Sequence, residues 1–276
     1  MRLRFPLQRE IPFEFVYELF SLLAAIIVVH AVYVTLVRPR AAADLEQEAI
    51  LREQDESYVP ERSVYVVIRD LEQEACFVLT LWAFAILGYK GRNAIRERRL
   101  LYENLVPIDE GTKILASDAR SFERQIKALP PALARCFLPR CLLSALHRFE
   151  SSHSISDAAA TVESLCKAEG ERLDSELSMI RYIVWAIPSI GFIGTVRGIG
   201  QALALAYQAI DGNITGVTQS LGIAFNSTFV ALLLSLVLML LVHQLQLLQE
   251  RLVLETQDYC SERLIRHMEA GAARPA

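Results

Sequence analysis

No Asp, Glu, Lys or Arg occurs between positions 212 and 249, a stretch well beyond the roughly 20 apolar residues that cross a bilayer. Positions 19–37 lack the same four residue types, and from 182 to 209 the single exception is Arg197. Acids are missing from both of the last two stretches. A proton-carrying carboxylate at that depth is therefore expected from another chain. Cysteine is sparse: Cys76, Cys136, Cys141, Cys166 and Cys260 form no CxxC pair and no Cys/His ligand spacing, so they are read as small packed hydrophobes rather than redox or metal groups. There is no phosphate-binding glycine loop, metal cluster or nucleophile–base pair. No enzyme activity, cofactor or metal is expected. A net charge of −4 does not suggest nucleic acid as a partner.

Apolar residues make up 53% of the chain and mean hydropathy is +0.30, both high for a soluble protein. Four spans emerge, at 19–37, 75–89, 182–209 and within 212–249. The expected fold is an all-α membrane protein with four transmembrane helices, the last two extended far into the cytoplasm as a long antiparallel pair. The second span is short, about 22 Å of helix, and either snorkelling of Lys90 or local bilayer thinning accommodates it. The first apolar run is too long for a cleaved signal sequence. Arg2, Arg4 and Arg9 precede it, and Lys90, Arg92, Arg96, Arg98 and Arg99 follow the second span. The positive-inside rule puts both clusters, and both termini, on the cytoplasmic side. The connector between them is acid-rich (Asp44, Glu46, Glu48, Glu53, Asp55, Glu56), although Arg38 and Arg40 argue the other way.

The expected organisation is an N-terminal segment and first span over 1–37, a periplasmic connector over 38–73 and a second span over 74–90. A cytoplasmic helical domain over 91–179, a membrane hairpin over 180–248 and a cytoplasmic helix and frayed tail over 249–276 follow. Within the cytoplasmic domain, Pro107 and Gly111 bracket a turn, and Pro130–Pro131 divides two helices. Ser154 offers an N-cap with Asp157 three residues on. From there no firm stop is read until Asp211–Gly212. Leu173, Leu177, Ile180 and Val184 form a stripe expected to pair with Leu241, Leu245, Leu248 and Leu252 on the returning helix.

The hairpin helices carry stripes of small residues. Gly191, Thr195, Gly198 and Ala202 recur on the first, and Ser220, Ala224, Thr228, Ala231 and Ser235 on the second. Spacings of three and four put each set on one helix face. Such a face either packs helices closely or lets its hydroxyls serve a polar guest. Asn226, Ser227 and Thr228 form a polar cluster in an otherwise apolar helix. Asn226 either bonds across helices or coordinates ions or water. Arg197 lies about 200° around the helix from Thr195. A cation at that depth needs a partner or water, and anchor and gate remain equal readings. Pro188 is a static bend or a flexing point. His30 and His243 stand as membrane histidines away from the stripes.

Pro188, Gly191, Gly194, Thr195, Val196, Gly198 and Ile199, followed by Ala224, Thr228 and Leu232, resemble the pore-helix pattern of the MotA/TolQ/ExbB proton channel family. The specific likeness covers roughly 185–245. It implies the pore subunit of an inner-membrane energy-transducing motor, stator-like, driven by protons or, less favoured, sodium. In such an assembly a homopentamer surrounds the membrane helices of two copies of a single-span MotB/TolR/ExbD-like partner carrying an Asp. It further implies that Thr195 and Thr228, with Ser227 and Asn226, face that aspartate. Gly191, Gly194, Gly198, Ala224 and Ala231 would provide close packing, and Pro188 the hinge. A rival reading is a non-conducting membrane scaffold or signalling protein whose cytoplasmic helices bind a partner.

Overall fold

A computed structural model describes residues 13–54, 63–103, 105–106, 113–210 and 213–269. Arg2, Arg4, Arg9, Asp55, Glu56, Pro107, Gly111, Asp211, Gly212 and the tail 270–276 lie outside the described residues. Among the described residues the fold is all-helical, and four helices are long and apolar enough to cross a membrane. In chain order the helices are α1 (Phe13–Val32), α2 (Arg38–Gln54), α3 (Val64–Val67), α4 (Leu71–Leu100), α5 (Ala119–Lys127) and α6 (Pro131–Ala134). Then come α7 (Phe137–Ser152), α8 (Ile155–Glu176), α9 (Ser178–Ala204), α10 (Ala206–Ile210) and α11 (Thr215–Arg263).

Two compact units are present, one of residues 1–88 and 179–242, the other of residues 89–178 and 243–276. In the first, α1 runs into α2 through a π-helical turn, Tyr33–Val37, in which the Arg38 N–H bonds the Tyr33 carbonyl five residues back. Pro39 explains the wide turn: it has no N–H for the carbonyl of Thr35, and its ring crowds that oxygen. Tyr33 and Val37 are buried with Val29 against Ile68, Phe77 and Val78. The Trp82 indole donates to the Glu18 carbonyl at 2.9 Å, and the Tyr17 hydroxyl to the Ala85 carbonyl at 3.2 Å. These bonds join α1 to α4.

Helix α4 begins before its apolar run and, at 30 residues, is about 45 Å long. The apparent shortness of the second span disappears once its polar first turn is counted. Glu72 and Glu74 occupy that turn, and Arg98 and Arg99 the last one, which complements the helix dipole at both ends.

The helix that α9 continues is less regular than its pattern suggests. A turn at Leu177, whose N–H bonds the Asp174 carbonyl three residues back, separates α8 from α9. Gly170 sits inside α8 without ending it. In contrast, α11 runs 49 residues unbroken, about 74 Å. Ile180, Ile183, Val184 and Ile187 of α9 and Leu238 and Val242 of α11 are buried in the first unit. Large side chains elsewhere on these helices, among them Trp185, Phe192, Leu232 and Leu236, are exposed, as expected of surfaces that meet lipid or another subunit.

The second unit has its own core around Phe137, Leu142, Leu146 and Phe149 of α7, to which α5, α8 and the end of α11 contribute. Helix α7 stops at His153, a left-handed residue (φ 54°) whose N–H caps the Phe149 carbonyl. Ser154 then accepts from the Asp157 N–H at 3.3 Å and starts α8, as the sequence predicts. Lys90 does not snorkel: it is buried and paired with Glu176 at 3.1 Å. Leu245 and Leu252 are buried as expected, while Leu241 is exposed. Across a groove of about 620 Å³, Leu173 of α8 and Leu177 of the turn after it face Gln249 and Val253 of α11.

Candidate functional site

The small-residue stripes of α9 and α11 face each other. A methyl on Gly191 would overlap the Cβ of Ala231. One on Gly194 would stand 2.5 Å from the Ser227 Cβ, and one on Gly198 2.7 Å from the Ala224 Cβ. As one residue number rises its partner's falls, so the helices pack antiparallel with their backbones nearly touching. The close-packing role of Gly191, Gly194, Gly198, Ala224 and Ala231 is therefore performed inside one chain.

Between these contacts the hydroxyls of Thr195 and Thr228 hydrogen-bond each other. Thr195 Oγ1 also lies 3.1 Å from the Ala224 carbonyl and 3.4 Å from the Gly191 carbonyl, and Thr228 Oγ1 lies 3.1 Å from the latter. Each hydroxyl has one proton to give and two lone pairs. Two protons are thus shared among two backbone carbonyls and the hydroxyls themselves. Either hydroxyl can turn to another acceptor while the carbonyl it leaves keeps its helical bond. Both threonines are half-buried, so the pair is neither sealed nor fully open.

A similar economy operates at Pro188, which lies inside α9. Lacking an N–H, it leaves the carbonyl of Val184, four residues back, without its helical donor. The Ser235 hydroxyl donates to that carbonyl at 3.0 Å. In hydrocarbon a backbone acceptor needs such a substitute. Neighbouring Ile187 O receives the Cys76 thiol at 3.7 Å.

Arg197 is paired. Its Nη2 lies 2.8 Å from Glu72 Oε2 at the start of α4. One residue on, the Gln73 amide is fully buried (0% exposed) and reaches the Ser227 hydroxyl at 3.5 Å and the Val67 carbonyl at 3.0 Å. One further, Glu74 accepts from Arg38 at 2.6 Å and contacts His30 Nδ1 at 2.7 Å. The first turn of α4 therefore carries three consecutive polar side chains, each joined to a different membrane helix. Arg197 Nε, Gln73 Oε1, Asp70 Oδ2 and the Tyr33 hydroxyl are buried without a hydrogen-bond partner among the described residues. Ser227 is buried, and Asn226 beside it is half-buried.

Glu72, Gln73 and Glu74 escaped the sequence reading because the boundary between connector and second span fell among them, with Glu72 and Gln73 at the end of the connector and Glu74 at the start of the span. A signal existed: a cation such as Arg197 needs a partner or water at its own depth, and the acids flanking the second span were candidate partners. Glu72 of this chain does reach α9, where it is committed to Arg197.

Residues 135–258 match the MotA/TolQ/ExbB proton channel family. The match covers 124 of the chain's 276 residues. It contains all of α9, both threonines and most of α11. That family is one of channels and energy transducers rather than enzymes, and implies an oligomeric complex with a MotB/TolR/ExbD-like partner; the four apolar helices of this chain are those of a multi-pass membrane protein. No curated protein and no solved structure matches the chain.

Proposed function

We propose that the chain is the pore subunit of an ion-driven energy-transducing complex of the bacterial inner membrane, with both termini cytoplasmic. Five copies surround the single membrane helices of two partner chains, each bearing an Asp. Protons, in preference to sodium, cross at that aspartate. The observation that carries this reading is the hydroxyl pair Thr195–Thr228, set in a hairpin of the family-matched region whose membrane portions contain no acid of their own.

The physical argument is one of exchange. A guest carboxylate needs close approach, a partner that donates and accepts, and little fixed charge. Small side chains provide the first. The threonine pair provides the second by turning one hydroxyl toward the guest while the other keeps the backbone contact. Pairing of Arg197 with Glu72 serves the third, because the cation is neutralised on the face of α9 away from Thr195. On this reading Pro188 is a hinge, since a hydroxyl bond from Ser235 is easier to break than a helical one.

The test is reconstitution with a single-span, Asp-bearing partner in liposomes and measurement of partner-dependent proton uptake. Thr195→Val and Thr228→Val are each expected to lower uptake at least tenfold. Unchanged uptake in both would sink the proposed site. Native mass spectrometry of the purified chain, at 31.0 kDa per copy, tests the ring separately: a stable dimer in several mild detergents leaves no cavity for guest helices.

A further inference from the structure

Away from the membrane helices, α5 and α7 bring Glu123, His147 and Glu150 together, one donor atom from each lying within 4.8 Å of the other two. The sequence offered no motif for this. His147 and Glu150 are three residues apart on α7 and so share a face. Glu123 comes from the buried stripe of α5, with Ala119 and Ile126 on either side.

Glu123 is the unusual member. It is only 8% exposed. Its Oε2 accepts from Lys127 at 2.6 Å, while its Oε1 is buried without a hydrogen-bond partner. An unsatisfied buried carboxylate oxygen is costly, and such an atom calls for a cation. Facing it, His147 Nδ1 stands 3.9 Å away. That is too far for a hydrogen bond, yet just under twice a zinc–ligand bond of about 2.1 Å. Glu150 is held from outside, by Arg120 on its Oε1. Each carboxylate thus has one oxygen committed to a basic side chain, as outer partners orient metal ligands.

We propose that Glu123, His147 and Glu150 form a binding site for a divalent transition metal ion, with zinc as the reference ion. One imidazole nitrogen and two carboxylate oxygens suit zinc and its first-row neighbours. Three protein ligands leave room for water. His147 is 79% exposed on its side chain, so the ion enters without local unfolding. Once bound it ties α5 to α7 across the core of the second unit. An anion is the poorer occupant. Arg120, Arg124 and Lys127 line the same hollow of about 560 Å³, but two of them are already engaged by carboxylates, and the unpaired atom is an acceptor that repels negative charge.

This site stands independently of the channel reading. The test is zinc titration of the full-length chain in detergent, stripped with EDTA and followed by competition with a chromophoric chelator. One ion per chain is expected. Glu123→Gln and His147→Gln are each expected to weaken binding at least about tenfold, the scale on which even outer partners of a metal act. His147 is exposed, so its variant keeps the proposal testable if Glu123→Gln does not fold. Cys141→Ser controls for a second possibility, because the Cys141 thiol contacts those of Cys166 and Cys260. Binding that survives in the His147 variant, binding lost only in the Cys141 variant, or the absence of a one-to-one complex overturns the proposal. So does saturation of the hollow by inorganic phosphate in place of zinc.

Discussion

Ser235 on α11 supplies the hydrogen bond that Pro188 removes from α9, its hydroxyl resting 3.0 Å from the Val184 carbonyl. A proline four residues after an acceptor would otherwise leave that oxygen bare in a membrane segment. The hairpin therefore tolerates its internal proline because of a residue 47 positions away in sequence.

Ser235→Ala is expected to cost about 0.5–1.5 kcal/mol of stability. In a Pro188→Ala background, where the helical N–H is restored, the same change should cost much less. Thermal unfolding of the four proteins of this cycle in one detergent gives the coupling directly. Equal costs in the two backgrounds would show that the bond does not compensate for the proline.

Gly191→Ala inserts a methyl against the Cβ of Ala231 and 3.1 Å from the Ser227 carbonyl. The rigid backbone on both sides leaves little to move, so overpacking of about 1–3 kcal/mol is expected. Ala231→Gly in the same chain should recover much of the loss, and Ala231→Gly alone should not stabilise. Unfolding temperatures across this pair check the prediction; absence of rescue would place the strain elsewhere.

Glu72→Gln removes the carboxylate that neutralises Arg197. Breaking a fully buried pair costs about 3–5 kcal/mol. Arg197 is 37% exposed on its side chain, so screening reduces the expectation to about 1–3 kcal/mol. Removing both charges, with Glu72→Leu and Arg197→Leu, should cost less than Glu72→Gln alone. A double change that is as damaging as the two single losses combined would exclude the pairing as the reason Arg197 is tolerated.

Asp70 precedes α4, and burial raises its carboxyl above the usual value, against the opposing influence of Arg69 and Arg197. A raised acid binds its proton more tightly folded than unfolded. Its penalty is absent below the ordinary pKa of 3.8, grows as pH climbs to the folded value, and is complete above it. Asp70→Asn is therefore expected to stabilise the chain at pH 7, with the advantage shrinking toward pH 4. A pH-independent difference between the two proteins would remove Asp70 ionisation as the cause.

Much of this architecture is legible without coordinates, and particular residues show why. The absence of charge over 212–249 and the spacing of Gly191, Gly194 and Gly198 depend only on helix periodicity and the cost of burying charge. Both hold wherever the helix sits. Ser154 capping α8 through the Asp157 N–H is equally local. The turn at Leu177 was missed because nothing in its neighbours breaks a helix. Lys90 was misjudged because its partner, Glu176, is 86 residues away.

By itself, then, the sequence determined the number of membrane helices, the small faces of the last two and the likeness to a proton channel family. All three follow from periodic patterns read along one segment at a time. Only the tertiary structure decided that Thr195 and Thr228 bond each other, that Glu72 answers Arg197, that Ser235 repairs Pro188, and that Glu123 meets His147. Each of these relationships joins residues on different helices. Hydrogen bonds and ion pairs act over a few ångströms in space, and which distant positions come that close is set by how the helices pack, not by the pattern within any one of them.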